Sequence, residues 1–290
     1  MKKLNLILAM VCITSFAYAQ EDSTKVEDAR ENDTIQVGNI LIIKRGNKQK
    51  GEDSTIILSR RPKGNSRVST NYFVFDLGFS NYDDQTNYAQ TGDYLVNSPG
   101  GLDFAKNDFK LRTGKSINVN IWLFMQRLSI IKNNVNLKYG LGLELNNYRY
   151  KSAISYSEGG ALPYGGGLTN APFIFRDSIT FSKNKLAADY LTVPLMINFA
   201  SNNASSKKGI SVSFGVSAGY LYSQRNKQKS DARGKEKNKG EYDLEKFKLS
   251  YVGELGIGPV RLYGSYSPKS MYEHSLDMRP FTVGLRFSNW

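Results

Sequence analysis

The chain has 290 residues, a formal net charge of +13 and a single cysteine, Cys12. That length accommodates one medium domain with an extension, and a lone thiol excludes both a disulfide framework and a cysteine-built metal centre. Beyond the amino terminus no stretch is apolar for long enough to form a membrane-spanning helix.

At the start, Lys2 and Lys3 precede an apolar run from Leu4 to Phe16 and the triplet Ala17-Tyr18-Ala19. A positive n-region, a short h-region and an A-x-A site predict a secretory signal over 1–19, cleaved before Gln20. Ala9-Met10-Val11 before Cys12 makes a poor lipobox. Gln20–Asp33 is polar and acidic, which predicts a disordered leader. Two β-branched runs follow, Asp33–Arg45 and Asp53–Arg61, and predict a hairpin. Arg60, Arg61, Lys63 and Arg67 surround Pro62 and Gly64 like a linker. The expected organisation is a signal over 1–19, a periplasmic leader with a hairpin over 20–70, and a barrel over 71–290.

Strands follow in order. The clearest is Val135–Leu145, V-N-L-K-Y-G-L-G-L-E-L, with aliphatics and Tyr139 on one parity and Asn136, Lys138, Gly140, Gly142 and Glu144 on the other. Such alternation is the period of a strand with one apolar face. Its length suits a tilted membrane crossing of roughly 9–11 residues better than a soluble strand of about 5–6. The same pattern recurs in Asn71–Ser80, Ser116–Gln126, Tyr190–Phe199, Ile210–Tyr222, Phe247–Ile257, Val260–Ser267 and Pro280–Trp290, with Val135–Tyr148 as the third of eight expected strands. In Ser116–Gln126 the predicted lipid side is Ile117, Val119, Ile121, Leu123 and Met125, opposite Asn118, Asn120 and Gln126.

Short connections (Arg127–Asn134, Ala200–Gly209, Gly258-Pro259) alternate with long ones (Asn81–Lys115, Arg149–Asp189, Ser223–Lys246, Pro268–Arg279). Tight periplasmic turns and long outer loops produce that alternation in outer-membrane barrels. The predicted fold is therefore all-β: an eight-stranded antiparallel up-and-down transmembrane β-barrel with a short N-terminal periplasmic extension, in the outer membrane of a Gram-negative cell. Pro194 lacks a donor for the ladder, and a bulge near the rim is the expected accommodation. Terminal Trp290 lies on the opposite parity from Phe281, Val283, Leu285 and Phe287, which predicts a bulge near Ser288-Asn289 or a slipped strand end.

The inward parity carries Lys138, Glu144, Glu254, Arg261 and Arg286. Charges in a narrow lumen must pair, so a salt-bridge plug is the expectation and an ion path its rival. A second charged feature is Ser223–Gly240, expected as an outer loop with Arg225, Lys227, Lys229, Arg233, Lys235, Lys237 and Lys239 set against Asp231 and Glu236. Solvation explains most such runs; the functional reading is contact with anionic outer-membrane lipid, lipopolysaccharide above all. The run carries no stacking aromatics, so nucleic acid is not an expected partner. An envelope protein partner stays unidentified.

No catalytic, cofactor or metal site is predicted. His274 lies beside Glu273, Ser275 and Asp277, but without a nucleophile elbow it reads as a solvated loop histidine. The glycines of Tyr156–Leu168 lack the lysine and helix start of a phosphate loop and read as a flexible loop. The function expected is non-enzymatic: envelope structure, surface interaction or service to a secretion machine. The alternatives are a small porin-like channel, a lipid-acting barrel enzyme and a soluble periplasmic β-domain.

The leader D-T-I-Q-V-G-N-I-L-I-I-K, the glycine-rich alternating strands and above all Asp189-Tyr190-Leu191-Thr192-Val193-Pro194-Leu195 resemble the PorT-like outer-membrane β-barrel family common in Bacteroidetes. The resemblance covers Asn71–Trp290. It implies an eight-stranded barrel in which Pro194 is a family habit. A few members are linked to type IX secretion.

Overall fold

Alternating sequences become long antiparallel strands in the computed structural model, which describes residues 67–131, 134–201, 209–257 and 260–288, together with the backbone of three short strands before them. The chain divides into two units, Met1–Asn65 and Ser66–Trp290. In the first, β1 (Thr34–Val37), β2 (Ile40–Lys44) and β3 (Ile56–Arg60) form a three-stranded antiparallel sheet. The predicted two-stranded hairpin is thus one strand short, because the run from Asp33 to Arg45 supplies both β1 and β2. The predicted signal, the acidic leader and the Pro62 linker lie outside the described residues.

The second unit contains β4 (Val68–Asp84), β5 (Leu95–Val96), β6 (Ile117–Ile131), β7 (Val135–Arg149), β8 (Ile154–Ser157), β9 (Gly160–Ala161), β10 (Leu168–Thr169), β11 (Phe173–Arg176) and β12 (Lys183–Ala200). It continues with β13 (Ile210–Ser230), β14 (Gly234–Lys239), β15 (Phe247–Ile257), β16 (Val260–Tyr266) and β17 (Met278–Phe287). One nine-stranded sheet runs β12-β7-β6-β4-β17-β16-β15-β13-β14, and an additional pairing of β12 with β13 returns it to its start. Every pairing within it is antiparallel. A sheet closed in this way leaves its ring strands without free edges. Outside it, β11 pairs with β5 on one side and β8 on the other, and β9 pairs with β10.

The predicted face of β6 needs correction. The partners Trp122↔Gly142 and Phe124↔Leu141 leave Leu123 bulged, and an inserted residue exchanges the two faces of everything beyond it. Met125 therefore points inward and is fully buried, not part of the outer row. Phe73 lies opposite that bulge with φ 53°, so Tyr72 and Phe73 are both exposed and β4 changes parity with its neighbour.

Two predicted loops are also corrected. The expected basic loop is an ordered hairpin: β13 continues to Ser230, turns at Gly234 in the left-handed region, and returns as β14. Within Tyr156–Leu168 lie the end of β8 and all of β9, so it is not one flexible loop. Pro194 occupies no bulge. The β12–β7 register is the same at Thr192↔Gly142 and Leu195↔Tyr139, and only the pairings between them are missing. The nearest irregularity is at Asp189/Tyr190, against β13. Trp290 and Asn289 lie outside the described residues.

Candidate functional site

The ring is inverted relative to a water-soluble fold. Its outer surface carries large exposed apolar residues: Phe75, Leu77 and Phe79 on β4, Leu191 to Phe199 at alternate positions of β12, and Val283, Leu285 and Phe287 on β17. Its interior is polar, holding Asn118, Asn120, Asn136, Thr192, Asn198, Ser213 and charged groups. A contiguous apolar exterior of this kind is what soluble monomers avoid. No helix among the described residues is long and apolar enough to cross a membrane.

Inside, all five predicted lumen charges are buried and paired. The Glu254 carboxylate takes Lys138 Nζ at 2.7 Å, Arg261 at 3.2 Å and Arg286 at 2.7 Å. Arg286 also clamps Asp76 through two nitrogens, each at 2.7 Å. Asp76 accepts the Trp122 indole N–H at 2.8 Å and the Asn120 amide at 3.1 Å. Glu144 pairs with Lys248, and receives Asn146 at 3.0 Å. Asp76 and Lys248 are missing from the predicted cluster, although each stands on the polar parity: Asp76 between Phe75 and Leu77, Lys248 between Phe247 and Leu249. Buried ions so saturated with partners hold their positions. One cavity beside Trp122, Glu144, Pro194, Met196 and Arg286 measures about 30 Å³.

Beyond one end of the ring the long connections fold into a second core. Buried side chains from them and from the strand ends form one cluster, including Tyr94, Phe104, Phe109, Tyr148, Tyr150, Ile154, Ile174, Tyr242, Tyr272 and Met278. Tyrosine hydroxyls knit it polarly: Tyr150 to Tyr156 at 2.6 Å, Tyr156 to Tyr272 at 2.7 Å, and Tyr94 donating to the Tyr242 carbonyl at 2.8 Å. Burial raises the Tyr94, Tyr150, Tyr156 and Tyr272 phenols above their ordinary value, so these hydroxyls act as hydrogen-bonding groups. A cleft of about 800 Å³ opens in this layer, lined among others by Asp93, Tyr94, Asn97, Phe173, Asp243 and His274.

His274 is exposed, and its Nδ1 lies 2.9 Å from an Asp243 oxygen whose partner oxygen accepts the His274 and Ser275 backbone N–H groups. That carboxylate hydrogen bond raises the histidine above its ordinary value. Glu273 brings a third donor within 4.8 Å of those two, but the Asp243 oxygens are already occupied in clasping two loops together.

The predicted basic residues separate into two sets. Arg233 turns to Asp177 at 2.8 Å, and Arg225 pairs with Asp189. The rest stand in cross-strand rungs: Lys229 lies between Lys183 and Lys235, and Lys227 between Lys185 and Lys237. Arg225 faces Lys239, and Arg149 adjoins Lys185 from β7. The opposite face of these strands packs inward through Asn184, Asn226 and Gln228. Arg149, Lys183 and Lys185 had no signal in the linear sequence, since they lie outside the basic run and reach it only through pairing.

Residues 67–288 match the family described as outer membrane protein beta-barrel domain. No curated protein matches the chain. Among solved structures, Ail, the attachment invasion locus protein of Yersinia pestis, in complex with the heparin analogue sucrose octasulfate, is similar at 12% identity. The match covers 75% of this chain and 98% of that one, with a TM-score of 0.28.

Proposed function

Because the chain belongs to the outer membrane protein beta-barrel domain family, we propose that it is a plugged, non-conducting and non-enzymatic barrel of the outer membrane whose work is done by a rigid loop layer at the cell surface. The wall in this reading is the eight strands of the pairing circuit, β4, β6, β7, β12, β13, β15, β16 and β17, with β14 a flap beyond it. The observation that carries the proposal is the ion cluster around Glu254, which crosses the interior from β4 to β7, β15, β16 and β17. A cavity of about 30 Å³ beside it has room for a water molecule, not for a hydrated solute. The long connections, by the parity of loop lengths, face outward. Their shared aromatic core gives contacts a preorganised base, as binding loops on a scaffold require.

Within the family, Tyr190–Leu195 supports the narrower PorT-like likeness, which would make service to a secretion machine a use of the same surface. Planar-bilayer recording tests the central reading. The expected result is no sustained single-channel current from the folded chain, and none from Glu144→Gln or Glu254→Gln. Steady currents whose selectivity follows either substitution would overturn it. Purification from native membranes tests the narrower one, which predicts an envelope protein in stoichiometric amount.

A further inference from the structure

From the basic rungs on the outward face of β12, β13 and β14, we infer a binding site for the phosphate groups of an outer-leaflet glycolipid, the lipid A portion of lipopolysaccharide. Lysines placed directly opposite one another across antiparallel strands repel and destabilise the pairing. Here two successive rungs consist of three lysines each, and Arg225 opposite Lys239 continues them. Among the described residues only Asp189 forms an ion pair with this outward set, through Arg225. The Nε groups of Arg149 and Arg225 are buried without an acceptor. Anions supplied from outside would offset repulsion that the fold leaves standing.

Position identifies the source of those anions. On the same outward face, Leu191 on β12 and Tyr220 and Tyr222 on β13 begin the apolar belt, about five to seven residues along the strands from the rung of Lys185, Lys227 and Lys237. The cations therefore stand where the belt gives way to the polar boundary, level with headgroups. The opposite face of the same strands carries the hydrogen-bonded amides Asn184, Asn226 and Gln228 and one acid, Glu236 opposite Gln228, so the positive charge is confined to the side that meets lipid. A two-dimensional array of lysines meets phosphates as point charges, and several such contacts add. This site rests on the outward orientation of the long connections proposed above.

The test uses the folded full-length chain in neutral detergent, titrated with diphosphoryl lipid A and followed by native mass spectrometry. Folding of each variant is verified by heat-dependent gel migration. The triple variant Lys185→Gln, Lys227→Gln, Lys237→Gln should lose about a hundredfold in affinity, since each basic group beside an anionic surface contributes a factor of about five. The corresponding triple arginine variant should retain binding, and Lys110→Gln with Lys151→Gln, on the loop layer, should leave it unchanged. Added salt should weaken the contact. Equal binding of dephosphorylated lipid A, equal binding of phosphatidylglycerol, or an equal loss in the Lys110 and Lys151 control would overturn the assignment. Orientation is read separately by thiol labelling of Lys237→Cys on intact cells: labelling from outside supports it, and labelling only after lysis overturns the orientation while leaving the affinity comparison intact.

Discussion

Glu254 shares its two oxygens among Lys138, Arg261 and Arg286, so its removal takes the carboxylate from Lys138 and Arg261 while Arg286 keeps Asp76. Stranding a buried charge by deleting its partner costs about 3–5 kcal/mol. Glu254→Ala should therefore lower stability in reversible unfolding from vesicles by at least about that amount. Glu144→Ala strands only Lys248 and should cost less; equal losses would show that the cluster is not shared in this way. At the loop layer, His274 is the only histidine, which makes its titration directly readable. Its pKa is raised by the Asp243 hydrogen bond. The imidazolium–carboxylate part of the clasp is therefore fully present below about 6.5, the unfolded value, and fades as pH rises through the raised one, while the two backbone N–H bonds to Asp243 persist. NMR titration should place its midpoint above 6.5, and Asp243→Asn should bring it down; an unchanged midpoint would remove the clasp.

At the scale of elements, close packing inside the ring depends on where side chains are absent. A Cβ on Gly142 would come within 2.6 Å of the Trp122 ring and 2.7 Å of the Ile121 carbonyl. Gly142→Val should push Trp122 off Asp76 and reduce the yield of the compact, unheated gel form, whereas Gly114→Ala, with open space around it, should not. Alternation made most of the wall legible. Val135–Leu145 keeps one parity from end to end, and its polar side, Asn136 to Asn146, is the buried one. Reading failed where parity is broken from outside the element. Nothing in I-N-V-N-I-W-L-F-M announces that Leu123 is the bulged residue, because either choice leaves an apolar row; the partner β7 decides it. Likewise the Ser223–Gly240 run has turn-like composition and like charges, which argue for a loop, yet continued pairing with β12 carries β13 out to Ser230. The lumen cluster was legible in five of its members because their charges interrupt apolar alternation. Asp76 and Lys248 carried the same signal and were missed. The outward lysine rungs were not legible at all, since Lys183 and Lys227 lie far apart until register joins their strands.

For the molecule as a whole, the decisive quantity is what the outer face of the ring touches. Leu195 lies midway along the exposed row of β12, at 49% exposure, between Val193 and Ile197. In water a half-exposed leucine gives way to arginine at little cost, since surface substitutions usually stay within about 0.5 kcal/mol. In hydrocarbon the same change costs about 2–4 kcal/mol at the midplane of a barrel and close to nothing near the interface. Leu195→Arg should therefore destabilise the vesicle-embedded chain by about that larger figure, while Asn238→Arg on β14, beyond the belt, should leave stability unchanged. The pair isolates solvent from side chain, because both positions are solvent-exposed strand residues that receive the same guanidinium. If the two variants unfolded alike, the apolar exterior would be touching water or protein. The inward placement of Asp76, Lys138, Glu254 and Arg286 would then have no membrane to explain it.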